Sequence, residues 1–480
     1  MKKPLEKDFV IIGSGPAGLN AAIIAANLGV QVTIIDENPQ IGGQIFRQTP
    51  PEIYRKKHLD KQSEDTFEKL NQSIIHNNIK IYSSSTVWGI FEKEESQAQN
   101  NSEINSKIIA TDNREIPLIE ARNLLIASGA YEMPVIFPGW TIPGVITLGS
   151  MQILLKSQGV IPEGRIIIAG TGPFLYLSAS QLIENGANVI GIVEASSMLD
   201  WYAWGMQLLR FPSIMLKGIK CLRKIKKAGI PIYFGHMVVD AKGKDKIREV
   251  TISQVDSQWC PKRHTKKTLQ TDLIGVNFGF MPSSYLTHLS GCQHNFDLEQ
   301  FCWISQFNNV YKTSEKNVFV AGDNTGIGGD KMASIEGKIV GIEVSRLLGK
   351  LTKEKANLIH KQLLKDLKSY NWYKKHLNKI YKFKSGFFNI LTEETIICRC
   401  EEVDYKTIKE ILKDPSTGNL KSLKNILRTG MGRCQGRFCY PTIMKILSRY
   451  ISTKELQKED FTVRVPLKPL PLKKFIEVSQ

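Results

Sequence analysis

Residues 8–44, DFVIIGSGPAGLNAAIIAANLGVQVTIIDENPQIGGQ, leave this chain little freedom. A short apolar strand runs into Gly13-x-Gly15-x-x-Gly18, an Ala-rich helix follows, and a second apolar strand, VTII, ends at Asp36. In that order the parts predict a strand–helix–strand unit that binds a dinucleotide. Gly13 permits the tight turn, Gly15 lets backbone approach a pyrophosphate, and Gly18 lets helix and strand pack closely. The helix start, with Ser14, Pro16 and Ala17 around it, offers unpaired N–H groups and a partial positive charge to phosphates. Asp36, with Glu37 beside it, can accept hydrogen bonds from ribose hydroxyls and disfavours a 2′-phosphate. Two lysines ahead of an apolar stretch also resemble a secretory leader, but Asp8 and the Gly-rich turn interrupt the run, so the strand–helix reading is preferred.

A second such unit lies at GRIIIAGTGPFLYLSASQLIENGANVIGIVEA, with Gly170-x-Gly172 and Glu194. Leu175 stands where the third glycine belongs and is expected to push the helix off the strand. NAD binding and a retained scaffold role both stay open for this unit; Glu194 would favour NAD over NADP.

Eight cysteines are present. Cys221, Cys260, Cys292 and Cys302 are scattered and read as small buried residues. The rest form two close pairs, Cys398-x-Cys400 and Cys434-x4-Cys439. With no secretory leader, metal ligation is favoured over a disulfide framework. Thiolates suit zinc, Cu(I) or iron–sulfur centres, and this spacing is not the CxxC knuckle usual for structural zinc. A [2Fe–2S] cluster, zinc and unligated thiols remain the three readings, the first preferred. Arg399, Arg433 and Arg437 can offset the charge of an all-thiolate cluster, while Gly430, Gly432 and Gly436 let backbone N–H groups face sulfur. DYKTIKEIL and YPTIMKIL read as two short amphipathic helices around these loops.

Further motifs carry a resemblance. Gly42-Gly43-Gln44 after the first acid, NLLIASGAYEMPVIFPGW with Ser128-Gly129, and NVFVAGDNTGIGGDKMASIEGKIVG with Gly322-Asp323 resemble the landmarks of the two-dinucleotide-binding-domain flavoproteins. The resemblance implies an α/β, Rossmann-like fold binding FAD and a second, NAD(P)-type domain. It implies that Asp323 meets the ribityl chain or its phosphate, so the strand at 318–322 must rejoin the first sheet. Disulfide-type members carry a redox Cys pair beside the flavin. Here QIFRQTPP follows Gly43 and no CxxC occurs near 170–200, so electrons need another exit. CRCEEV and GMGRCQGRFC resemble the bacterioferritin-associated-ferredoxin-like domain, which implies a [2Fe–2S] cluster on Cys398, Cys400, Cys434 and Cys439.

The whole chain, through GSGPAGL, DENPQIGGQ, YEMPVIFPGWTIPGV, VNFGFMPSS, AGDNTGIGG, CRCEEV and GMGRCQGRFC, resembles the A subunits of opine oxidases. It equally resembles hydrogen cyanide synthase B subunits and the alpha subunits of dye-linked proline or hydroxyproline dehydrogenases. The resemblance implies an electron-transferring subunit of a heteromeric FAD-dependent enzyme acting on a C–N bond. Its implied partner is a glycine-oxidase-like flavoprotein subunit that takes the amino-acid substrate. The alpha subunit of heterotetrameric sarcosine oxidase, a related arrangement, holds NAD at a similar first site. Two other readings stand beside this one: a stand-alone NAD(P)H-dependent flavin reductase, and a redox-sensing module that is not an enzyme.

The expected organisation is a discontinuous FAD domain over 1–140 and 265–350, a second dinucleotide-type domain over 141–264, a helical connector over 351–390, a small α-rich cluster domain over 391–455 and a proline-containing tail over 456–480. Residues 92–107 read as a polar loop. Trp88 is expected to pack in the first domain, Thr86 and Val87 to face adenine through backbone, and Gln44 and Arg47 to lie near the flavin or pyrophosphate. No residue presents itself as a catalytic base. Lys+Arg exceed Asp+Glu by 64 to 46, a net +18, but the charge is spread and no nucleic-acid motif accompanies it. Cytoplasmic location fits, and a basic surface of this kind is compatible with peripheral contact to an anionic membrane carrying quinone.

Overall fold

Phe9 to Ile12 are buried on both faces, as expected for the inner strand of a parallel sheet. In this computed structural model, residues 4–49, 61–76, 79–93, 106–113, 115–414, 416–457 and 463–473 are described. Phe9 to Ile12 end β1 (Leu5–Ile12), which turns into α1 (Pro16–Asn27) with Pro16 at the helix start, where a missing N–H costs nothing. β2 (Val32–Ile35) returns parallel to β1, Phe9 opposite Val32. α2 (Lys61–His76), β3 (Lys80–Tyr82), β4 (Val87–Glu92), β5 (Lys107–Thr111) and β6 (Leu118–Ile126) follow. The sheet runs β3-β2-β1-β6-β5-β4. β4 and β5 pair antiparallel, and most of the polar loop expected between them lies outside the described residues.

β7 (Ala130–Glu132) leaves this sheet. The middle of the chain holds β8 (Val145–Thr147), α3 (Leu148–Gln158), β9 (Ile166–Gly170), α4 (Pro173–Glu184), β10 (Val189–Glu194), α5 (Met198–Gln207), α6 (Pro212–Lys227) and β11 (Ile232–Phe234). It continues through β12 (His236–Gly243), β13 (Ile247–Gln254), β14 (Lys267–Gln270) and β15 (Leu273–Asn277). A five-stranded sheet has the order β11-β10-β9-β15-β8, and β12-β13-β14 form a separate antiparallel sheet. The division expected at 264/265 therefore moves: β14 pairs with β13, and β15 sits between β9 and β8, so this region reaches Asn277. No break in composition marks the change, because β15 is an apolar strand that either sheet would accept. Leu175 does not keep α4 off its sheet; it is fully buried in one apolar layer with Ile168 and Ile192.

β16 (Phe280–Pro282) pairs with β7, and α7 (Tyr285–Leu289), β17 (His294–Asp297) and β18 (Cys302–Ser305) lead onward. β19 (Val318–Val320) then rejoins the first sheet, parallel to β6 with Val318 opposite Leu124. α8 (Asp330–Leu347) packs along α1, and α9 (Lys353–Tyr381) is a 29-residue helix capped by Thr352. β20 (Ile396–Cys398), β21 (Val403–Asp404), α10 (Tyr405–Leu412), α11 (Leu420–Leu427), α12 (Cys439–Leu447) and α13 (Thr453–Leu456) complete the described elements. α11 is a third helix beside the two the pattern suggested. Among the described residues no helix is long and apolar enough to cross a membrane.

Candidate functional site

The first crevice opens where α1 begins. Gly15 has φ −73° and needs no glycine for its own conformation; a Cβ there would meet nothing within 4 Å. A Cβ on Gly18, by contrast, would stand 2.0 Å from the Gly13 carbonyl oxygen. Gly18 therefore serves helix packing, while Gly15 keeps an open cradle at a helix N-terminus, the place a pyrophosphate takes. The Gly42-Gly43 turn closes in, with the Gly42 N–H on the Ser14 carbonyl at 2.9 Å and a Gly43 Cβ only 2.9 Å from Gly15 Cα.

Asp36 is buried at the end of β2. One carboxylate oxygen accepts from the Ser14 N–H and hydroxyl, both at 2.6 Å, and the other from the Asn38 N–H and Nδ2 at 2.8 and 2.9 Å. Arg47 reaches Asn38 and Ser157 while its Nε stays buried without a partner, so an anion-binding group remains in hand beside the crevice. Gln44 is exposed next to it.

Opposite, Ser128 and Gly129 follow β6, and the Gly129 Cβ direction is also open. The Ser128 hydroxyl lies 3.1 Å from the Ser283 carbonyl and 3.1 Å from Asn324 Nδ2. Asp323, after β19, accepts from the N–H groups of Gly328 and Gly329 at 3.1 and 3.2 Å; burial raises its pKa above the usual carboxylate range. Glu336 of α8 takes the Gly322 N–H at 2.7 Å and the Thr325 hydroxyl at 3.0 Å. Val87 and Trp88 are buried on β4, and Thr86 donates its N–H to Asp112 at 2.6 Å.

The second unit offers less. Glu194 is completely buried, accepting from Gly172 N–H, Ser196 N–H and the Tyr176 hydroxyl at 3.2, 2.9 and 3.3 Å. Burial pushes its pKa up to about 7. Its oxygens are committed to protein donors.

The four late cysteines come together as two pairs. Cys400 and Cys434 stand 3.7 Å apart, sulfur to sulfur, and Cys398 shares a hydrogen bond with Cys439. Cys398 and Cys439 are buried, Cys400 exposed and Cys434 half-buried. Among the described residues no three His, Cys, Asp or Glu side chains are grouped as a metal site. Mononuclear zinc would draw all four sulfurs to about 2.3 Å from one ion, whereas a two-iron cluster takes two thiolates on each iron. The donor set fits the cluster.

The loops are shaped for close approach. The Cys398 thiol is held down, to a pKa of about 6, by Cys439 and by the N–H groups of Glu401, Cys400 and Gly430, against the effect of burial. A Cβ on Gly432 would sit 2.2 Å from Cys400 Cβ. Glu402, Arg428 and Gln435 all take positive φ in these loops, a conformation non-glycine residues adopt where surrounding structure imposes it. Arg437 lies against Cys434, its NH1 3.5 Å from that carbonyl. Arg399 instead covers the Trp140 ring at 5.0 Å, and Arg433 is exposed.

Residues 7–343 match the family model described as pyridine nucleotide-disulphide oxidoreductase, and 396–449 match the BFD-like [2Fe-2S] binding domain. The chain belongs to the pyridine nucleotide-disulphide oxidoreductase family. Among the opine oxidase A subunits, that of Rhizobium meliloti is 31% identical over 97% of this chain and 86% of its own length. Hydrogen cyanide synthase subunit HcnB of Pseudomonas protegens is 30% identical over 98% of both. The crystal structure of L-proline dehydrogenase from P. horikoshii shares the fold, with TM-score 0.66 and 18% identity over 99% of this chain and 80% of that one. This member of the pyridine nucleotide-disulphide oxidoreductase family is thus an oxidoreductase with FAD and a [2Fe–2S] cluster.

In this chain the cluster loops are built into the flavin-type region. Arg437 lies over the rings of Tyr285 and Tyr131 at 5.0 and 5.8 Å, and Tyr131 stands two residues from Gly129. Trp140 donates its indole N–H to the Ile396 carbonyl at 2.6 Å. Lys374 and Lys468 join Asn324 and Glu336 at the first crevice; the latter two lie within the Gly322-Asp323 motif, but no motif announces the lysines. Lys374 donates to the Thr325 carbonyl at 3.0 Å, and Lys468 of the tail pairs with Glu37.

Proposed function

We propose that this chain is the electron-transferring subunit of a heteromeric FAD-dependent dehydrogenase or oxidase that acts on a C–N bond of an amino acid or N-substituted amino acid, of opine, proline or glycine type. FAD would accept an electron pair, and the [2Fe–2S] cluster would take electrons singly. The single observation carrying the reading is the packing of Arg437, between two cluster cysteines, onto Tyr131 and Tyr285 beside Ser128-Gly129. The relatives named subunits of opine oxidase and hydrogen cyanide synthase support a division of labour with a separate, glycine-oxidase-like catalytic subunit.

In this reading Gly13 to Gly18 present the start of α1 to the pyrophosphate and Asp36 faces the ribose. Ser128, Gly129, Gly322 and Asp323 border the remainder, with Gly43, Gln44 and Val87 at the edges. Cys398, Cys400, Cys434 and Cys439 would hold the cluster, which would supply one-electron chemistry there. Glu194, completely buried and held by burial toward its neutral form, favours the second unit as scaffold, against the reading of an NAD(P)H-dependent reductase. The proposed place of action is the cytoplasm.

The test is the purified chain alone and with a coexpressed partner. Alone, it should show flavin absorbance, bound iron and a reduced-cluster EPR signal, no flavin bleaching by NADH, and no turnover of proline, glycine or opines. Turnover should appear with the partner. Zinc in place of iron, or full amine oxidation by the lone chain, would overturn the reading.

A further inference from the structure

Helix α5 is apolar on both sides. Its inner side is spent on the protein: the Trp201 ring meets Tyr176 at 4.7 Å and Trp204 at 5.0 Å, and Trp204 is buried with Leu377 of α9. The link into α6 is fixed the same way. Phe211 packs on Tyr373 at 5.4 Å, and Arg210 covers the Trp372 ring at 4.8 Å. These contacts hold the hairpin in one place, with its outer side turned to solvent.

That outer side carries Met198, Leu199, Tyr202, Met206 and Leu209, exposed by 65, 80, 72, 54 and 59%. Residues 198, 202 and 206 recur every four positions and form one stripe. Asp200 is the one acid of α5, and it is engaged with the Ser197 N–H and hydroxyl. From Trp201 to Val239 there is no Asp or Glu, while Lys and Arg occur seven times. On α6, Cys221 and Ile225 face inward, so Leu216, Lys220, Arg223 and Lys227, at i, i+4, i+7 and i+11, share the opposite side.

A contiguous apolar stripe on a soluble surface marks a docking site. The excess of positive charge around it selects what docks. We propose that the α5–α6 hairpin is an interfacial anchor for an anionic lipid bilayer. Met198, Leu199, Tyr202 and Met206 enter the boundary between headgroups and acyl chains, and the basic side of α6 meets lipid phosphates. Interfacial helices combine these two contributions, and each basic residue near an anionic surface adds about 1 kcal/mol. A protein occupant would meet the same stripe, but seven cations, of which Lys224 pairs with Glu184, ask for a large acidic partner face, whereas an anionic leaflet supplies that charge everywhere. The inference seats the proposed electron-transfer subunit on a membrane surface, yet it rests on the hairpin alone; its failure would leave flavin and iron content untouched.

The test is flotation of the full chain with vesicles of phosphatidylcholine alone or mixed equally with phosphatidylglycerol. The chain should float with the mixed vesicles, not with phosphatidylcholine, and be released by high salt. Leu199→Glu/Tyr202→Glu and Lys220→Glu/Arg223→Glu should each weaken this by roughly tenfold or more while flavin and cluster absorbance stay unchanged. Tyr202→Trp, read by brominated-lipid quenching, reports the contact directly, so a charge variant that misfolds does not leave the question open. No flotation of the wild-type chain, equal flotation with both lipids, charge variants that float like wild type, or a stripe protected only by a protein partner would each overturn the proposal.

Discussion

The indole N–H of Trp303 donates to the hydroxyl of Tyr440 at 2.8 Å, and Tyr440 follows Cys439 in sequence. Cys439, a proposed cluster ligand, is thereby pinned to β18, which lies outside the cluster domain. Tyr440→Phe keeps the ring and removes the acceptor of a buried indole, so it should cost about 1–3 kcal/mol. Denaturant unfolding of the loaded protein, followed through both flavin and cluster absorbance, checks this. The cluster signal should be lost at lower denaturant than in wild type; an unchanged midpoint would show that the bond contributes nothing to the join.

Gly15 and Gly18 separate ligand binding from folding. Gly15→Ala adds a methyl to empty space at an ordinary φ, so apoprotein stability should change by less than about 1 kcal/mol. Flavin content should nevertheless fall, because the methyl fills the cradle. Gly18→Ala drives a methyl to 2.0 Å from the Gly13 oxygen, and overpacking of that kind should destabilise by about 1–3 kcal/mol or more. Thermal melts of both apoproteins with flavin titration distinguish them; equal melting points would remove the distinction.

The places of these two glycines, Asp36 and the four late cysteines in the fold were legible in sequence because the patterns that mark them are local. A tight turn, a phosphate cradle or a thiolate pair fixes residue types within a few positions. The contacts that join the regions were not. Trp303 and Tyr440 are 137 residues apart, Met133 and Lys445 are 312, and Glu37 and Lys468 are 431. Which aromatic meets which hydroxyl across such spans is decided by packing, and no short pattern carries it. β15 was misplaced for a related reason: an apolar strand states that it is buried, not which sheet buries it.

Lys445 carries an amine into the core. It is fully buried, with Nζ 3.3 Å from the Met133 sulfur and 3.5 Å from the centre of the Phe383 ring. The Phe301 ring lies at 5.9 Å, and Cys302 is the one titratable group that acts on it. Burial pushes the amine down to about 7, and raises the Cys302 thiol, so no counter-charge is present at neutral pH. The unfolded chain then binds a proton that the folded chain does not between pH 7 and about 10. Stability should fall with rising acidity in the opposite sense to a salt-bridged amine: the unfolded state is favoured by protonation, so stability rises with pH across that window by up to about 1.4 kcal/mol per pH unit and levels off below pH 7. Lys445→Met should flatten that part of the curve and be more stable than wild type at pH 7. Urea unfolding at a series of pH values measures both effects; parallel curves for the two proteins would refute the assignment.

The tail closes on the first crevice by two contacts of different kinds. Leu467 is buried and donates its N–H to the Trp88 carbonyl at 2.8 Å, while Lys468 pairs with Glu37 next to Asp36. Both members of the ion pair are about a third exposed or more, so the pair itself should contribute less than about 1 kcal/mol. Burial of Leu467 should contribute more, and Leu467→Ala should cost about 2–5 kcal/mol of local docking. Lys468→Ala should therefore leave the tail seated, whereas Leu467→Ala should release it and expose the Asp36 end of the crevice. Limited proteolysis reads the tail, and the rate of flavin loss on dilution reads the crevice. The expected order is wild type close to Lys468→Ala, with Leu467→Ala faster in both. If Lys468→Ala alone speeds flavin loss while the tail stays protected, charge beside Asp36, not closure by the tail, holds that end of the nucleotide.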